Sequence, residues 1–128
     1  MKKRIWLIIL CFLLCIIGLY RPYNESYSLN LPTLSDTFSM ALDGHILQDN
    51  MDSIYNVLGG KTTNMESVQD SPVHADTYKT IEIKTNNGES YTLFLYEYKN
   101  KYYIEQPYNG IYKITKEEYE LLSKTKKQ

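Results

Sequence analysis

Two Asn-Gly pairs set the limits on what this chain can fold into. Asn87-Gly88 lies between the apolar-rich runs 78–85 and 90–98, and Asn109-Gly110 lies between 101–107 and 111–114. A two-residue type I′ hairpin turn needs positive φ at both central positions, and Asn followed by Gly tolerates this best. Lys99-Asn100 supplies a third turn between 90–98 and 101–107. Strand-like runs joined by tight turns predict a four-stranded antiparallel meander within Tyr78–Tyr119, closing on a helix start.

Two-residue turns also fix a register. Ile81 then faces Phe94 and Ile83 faces Thr92, while Leu95 faces Ile104 and Tyr96 faces Tyr103. One face holds Ile81, Ile83, Phe94, Tyr96 and Tyr103, and reads as the core side. The other mixes Tyr91, Leu93, Leu95, Tyr102 and Ile104 with Glu82, Lys84 and Glu97, as if partly covered. After the last strand, Thr115-Lys116-Glu117-Glu118 forms a capping box, with Ile114 and Tyr119 at the staple positions around it. Leu121 and Leu122 continue the apolar side, and Lys124, Lys126 and Lys127 form a basic tail.

Upstream, Phe38, Met40 and Leu42 alternate with Ser39 and Ala41, which predicts an optional fifth strand ending at Asp43-Gly44. Met51, Ile54, Tyr55 and Leu58 fall on one face of a helix with Asp49 or Asn50 as N-cap and Gly59 as C′. The segment Gly60–Thr77 is polar and long for a connection, and reads as a link between helix and meander. The expected fold class is α+β: a meander packed by two helices, after an N-terminal membrane or signal helix. The boundaries are a signal segment at 1–22, a stalk at 23–36, one domain at 37–124 and a basic tail at 125–128.

Lys2-Lys3-Arg4 precedes Ile5–Tyr20, sixteen residues interrupted only by Gly18 among apolar types. Basic residues stay inside and the apolar run enters the bilayer, so the remainder lies outside. An uncleaved signal anchor is the preferred reading, with a single pass and the N-terminus inside. A cleaved signal peptide is a second, and lipid attachment at Cys15 is a third, although Leu14 stands where a small residue belongs. Both cysteines, Cys11 and Cys15, lie in this run, so the folded part has no disulfide, thiolate nucleophile or cysteine metal site.

From Arg21 onward eleven basic residues oppose fifteen acidic ones, a net charge of −4. That sign disfavours nucleic acid and anionic lipid as partners, leaving the N-terminal helix as the membrane contact. His45 and His74 are the only histidines, and even with Asp76 near His74 their spacing matches no ligand signature. Gly59-Gly60-Lys61-Thr62 follows a helix instead of a strand and reads as a helix stop, not a phosphate loop. No catalytic set, metal site or cofactor is expected.

Thirteen tyrosines are present, eight of them between Tyr91 and Tyr119. Tyrosine gives rigid contact area with one polar tip, suited to sugar stacking or a protein interface, although strands also favour aromatics for packing. Tyr102, Tyr103, Glu105, Tyr108 and Asn109 form the best candidate binding site, combining aromatics, a carboxylate and an amide at a tight turn. Pro107 removes a ladder donor, so this run is expected beside a sheet edge.

The runs DSPVHADTYKTIEI and YEYKNKYYIEQPYNGIYKI resemble an uncharacterised family of small exported domains of Gram-positive bacteria. Its members look like signal-bearing or lipoprotein chains with an LPTL-like lead-in, here Leu31–Leu34, and the likeness covers roughly residues 29–120. The resemblance implies a domain outside the membrane and no established activity. Three functions are weighed. The first is a non-enzymatic envelope domain binding a protein or peptide, as an accessory, inhibitor or immunity factor. The second is a cell-wall glycan-binding domain. The third is an envelope hydrolase using Glu105 or His74.

Overall fold

A computed structural model describes residues 2–19, 25–49, 51–72 and 75–126. His74 and Asn50 lie outside the described residues. The fold is α+β. Its elements are α1 (Lys2–Leu19), β1 (Tyr27–Ser28), a 3-10 turn at Leu34–Asp36, β2 (Thr37–Leu42), β3 (His45–Ile46), α2 (Met51–Leu58), β4 (Thr62–Thr63), β5 (Lys79–Thr85), β6 (Ser90–Tyr98), β7 (Lys101–Glu105), β8 (Ile111–Ile114) and α3 (Lys116–Ser123). The main sheet has six antiparallel strands in the order β3-β2-β5-β6-β7-β8. The predicted meander is therefore present as β5–β8, extended at β5 by β2 and a short β3.

The register departs from expectation at the first hairpin. Ile81 pairs with Leu93 and Ile83 with Tyr91, one residue away from the expected partners. Gly88 donates its N–H to Thr85 O at 3.1 Å, and the Thr85 N–H reaches Glu89 O at 3.0 Å. The loop is thus three residues, Asn86–Gly88, with only Gly88 at positive φ (83°). Because strand side chains alternate, that single residue moves Leu93 and Leu95 to the side of Ile81 and Ile83. The Lys99-Asn100 turn behaves as expected: both residues have positive φ (50° and 63°), and Leu95 pairs with Ile104.

The core lies on that shared side. Ile81, Ile83, Leu93, Leu95 and Ile104 are fully buried against Ile54 and Leu58 of α2 and Leu122 of α3. Burying each such side chain is worth about 1.5–3 kcal/mol, which is what holds two short helices on the sheet. The capping box forms as predicted, with Glu118 N–H on Thr115 Oγ1 at 3.1 Å and Thr115 N–H on Glu118 Oε1 at 3.0 Å. At the end of α2 the positive φ belongs to Gly60 (73°), not Gly59.

Phe38 departs from its expected alternation. The β2–β5 ladder shifts between Thr37 and Ser39, and this bulge leaves Phe38 69% exposed while Met40 and Leu42 are buried. The stretch expected as a stalk is also part of the fold: Tyr27–Ser28 pairs with Thr62–Thr63, and Pro32 is buried. Likewise the C-terminal tail is tied down. Gln48 N–H bonds Lys124 O at 2.9 Å and Lys126 N–H bonds Ile46 O at 2.7 Å, covering part of the β3 edge.

The N-terminal run is helical over Lys2–Leu19, and the described side chains from Lys2 to Ile16 are all exposed. Its three basic residues fall inside the helix, not ahead of it. No described helix is long and apolar enough to cross a membrane, so the spanning part of the expectation is not supported among the described residues.

Candidate binding surface

On the sheet face opposite the core, β6, β7 and β8 bring together Phe94, Tyr96, Tyr98, Lys101, Tyr103, Glu105, Ile111 and Lys113. Part of this face is covered by the segment after β4. Ile111 N–H bonds Met65 O at 2.8 Å, Glu66 bridges Gly110, and Thr63 Oγ1 donates to Ile111 O at 2.7 Å. The first part of the 60–77 link is thus strapped along the free edge of β8. Gly110 permits this approach: a Cβ there would sit 2.7 Å from Thr63 Cγ2. The glycine is demanded by packing. The turn itself uses Pro107 and Tyr108, with Tyr108 at φ 58° and Asn109 N–H on Gln106 O at 3.0 Å.

Beneath the strap lies Glu105, which is 0% exposed. Ser67 Oγ donates to its Oε1 at 2.8 Å, and Tyr96 Oη donates to its Oε2 at 2.9 Å. A buried carboxylate needs such donors, each charge-assisted bond contributing about 1.5–3 kcal/mol. Burial, together with the bond to Glu105, pushes the Tyr96 phenol well above its ordinary range. Glu105 therefore latches the strap to the sheet and presents no oxygen to solvent.

The five residues expected to form one site do not gather. Tyr102 lies on the core face, 4.7 Å from the Tyr119 ring. Tyr103 lies on the opposite face, stacked on Tyr96 at 5.6 Å, and Glu105 is sealed beside it. Tyr108 is 67% exposed at the turn, where a hydrogen bond to Asp70 raises its phenol. Asn109 Nδ2 donates to Ser28 O and Gln106 Oε1, both at 2.6 Å. Gln106, which the sequence did not single out, clamps Asn30 through two bonds at 2.8 and 2.7 Å. As expected, β7 lies beside a sheet edge, between β6 and the edge strand β8. The Pro107 ring falls in the turn and costs the ladder nothing.

Besides a concavity of about 270 Å³ beside Tyr78 and Tyr119, two concave surfaces of the folded domain bear on binding. One is a hollow of about 130 Å³ lined by Met65, Tyr96, Tyr98, Tyr103 and Ile111. Lys99 Nζ sits 5.2 Å from the ring centroid of Tyr98, one of the lining residues. The other, of about 440 Å³, lies where β2 outruns β3, with Met40, Leu47 and Ile54 as floor and Phe38, Ile46 and Met51 around it. Asp49 and Lys126 complete its walls. Neither surface was legible in the sequence, because one depends on the bulge at Phe38 and the other on the strap. Among the described residues, no three His, Cys, Asp or Glu side chains gather to hold a metal ion.

A family model for DUF5301, described as a domain of unknown function (DUF5300), matches residues 24–113. The chain belongs to that family. The match runs from the segment ahead of β1 into β8, so the strap, the latch and all of the groove at β2 except Lys126 fall within the DUF5301 domain. No curated protein matches the chain, and no solved structure matches it.

Proposed function

We propose that this is a non-enzymatic envelope domain that binds a protein or peptide partner, in an accessory, inhibitory or immunity role. Its N-terminal helix serves for export or membrane attachment, with apolar side chains exposed along its length behind Lys2, Lys3 and Arg4. The observation that carries the binding reading is the groove beside Phe38. Phe38 is the most exposed large apolar side chain described in the folded domain at 69%, and Ile46 across the groove is 47% exposed. Paired exposed apolar groups over an apolar floor favour a partner surface. The open wall is the part of the β2 edge that short β3, paired only at Ala41 and Leu42, leaves uncovered, so the fitting occupant is an extended segment that adds its own backbone beside β2.

The burial of Glu105 supports a binding role over a hydrolytic one, since the carboxylate reaches no solvent. The test is capture on the immobilised full chain in detergent, beside Phe38→Ser/Ile46→Ser. A polypeptide held by the wild type and lost with the variant, and rebound as a purified extended peptide, is the expected result. Equal retention by both would sink the reading. A second reading, a glycan-binding domain, is favoured by the tyrosine-lined hollow on the other sheet face.

A further inference from the structure

We infer that the hollow over β6–β8 is a binding site for an anionic saccharide, a sugar ring bearing a carboxylate or phosphate. This deepens the glycan reading and is independent of the groove at Phe38. Register places the necessary groups on one face. Tyr96 is opposite Tyr103, Tyr103 is opposite Lys113, and Tyr98 is opposite Lys101. Directly opposed residues stand about 5 Å apart at Cβ, so each half-buried tyrosine has an exposed ammonium beside it. Lys99, held over the Tyr98 ring, adds a third.

The aromatic part is preorganised. Tyr103 is stacked at 27° on Tyr96, and Tyr96 is fixed from below by its hydrogen bond to Glu105. Tyr98 and Tyr103 both line the hollow, where a preorganised aromatic surface takes an apolar ring face at low entropic cost. Charge then selects the ligand. The domain as a whole is acidic, yet this patch carries Lys99, Lys101 and Lys113 at the surface. The one carboxylate that β6, β7 and β8 place on this face is Glu105, which is buried under the strap, with Glu66 beyond Gly110 on its outer side. A neutral sugar would leave three lysines unused, and a purely acidic peptide would leave the stacked rings unused.

The test titrates trigalacturonate and glucose 6-phosphate into the full-length protein in detergent, following tyrosine fluorescence and backbone amide shifts. Maltotriose and poly-glutamate are the comparison ligands. Binding of either anionic sugar is expected, with shifts centred on Tyr98–Tyr103 and weakening as salt rises. Lys101→Ser/Lys113→Ser should weaken it about fivefold or more. Tyr103→Leu, which retains apolar bulk against Tyr96, should weaken it similarly without removing the salt dependence. Phe38→Ser should leave it unchanged, so loss of the peptide reading and loss of this one are separable. Equal binding of maltotriose, equal binding of poly-glutamate, or no shift with either anionic sugar would overturn the proposal.

Discussion

Ser67 donates its hydroxyl to the Glu105 carboxylate at 2.8 Å across 38 residues of sequence. Through that bond a polar segment with no periodicity of its own becomes part of the sheet. Ser67→Ala leaves Oε1 of a fully buried carboxylate without its donor, and should destabilise the fold by about 1–3 kcal/mol in urea unfolding. Tyr96→Phe should do likewise. The double variant should depart from additivity, because both hydroxyls serve one carboxylate. Additive losses would show that the two bonds act separately.

Tyr112 carries the opposite imbalance. Its hydroxyl is buried and has no hydrogen-bond partner among the described residues. Tyr112→Phe removes the unsatisfied group while keeping the ring in the core, so stability should rise by about 1 kcal/mol. A loss of stability would mean that the hydroxyl has a partner in solution.

Alkaline pH should weaken the fold through these two phenols. Burial pushes the Tyr112 phenol up to about 12, and burial with the Glu105 bond raises Tyr96 further. Above its ordinary value near 10, each group holds its proton in the folded state and loses it in the unfolded one. The stabilisation is thus fully present below about pH 10 and is lost as pH rises through the raised values. Urea midpoints between pH 8 and 12 should fall more steeply for the wild type than for Tyr96→Phe/Tyr112→Phe. Equal slopes would contradict this.

Gly110→Ala places a methyl group 2.7 Å from Thr63 Cγ2 and 3.0 Å from the Tyr112 ring. Overpacking of this kind costs about 1–3 kcal/mol. Thr63→Ser in the same background removes the clashing methyl and keeps the hydroxyl that bonds Ile111 O, so it should recover part of the loss. Amide exchange at Ile111, whose N–H is held by Met65 O, reports the strap directly.

The parts of the fold legible in the sequence were those written in local chemistry. Thr115 and Glu118 cap α3 because hydroxyl and carboxylate stand three residues apart, and Lys99-Asn100 turns because its neighbours fix the strand ends. The Asn-Gly pairs misled. Gly88 serves a three-residue loop, and Gly110 is small for the sake of Thr63. One extra loop residue then put Leu93 on the face that α2 and α3 cover and the buried Phe94 on the opposite one. The strap and the N-terminal segment were read as link and stalk because backbone bonds and single contacts, such as Gln106 with Asn30, hold them. Such bonds leave no period. Glu105 was read as a binding-site carboxylate; it is buried instead, and its environment comes from Ser67, which no local pattern connects to it.

The most direct measurement is the affinity of a purified partner peptide for the wild-type full chain, Phe38→Ser and Glu105→Gln, each confirmed folded by circular dichroism. Loss of binding with Phe38→Ser and retention with Glu105→Gln is predicted, since Phe38 lines the proposed groove and Glu105 holds the strap. Unchanged binding with Phe38→Ser, or loss with a folded Glu105→Gln, would contradict it.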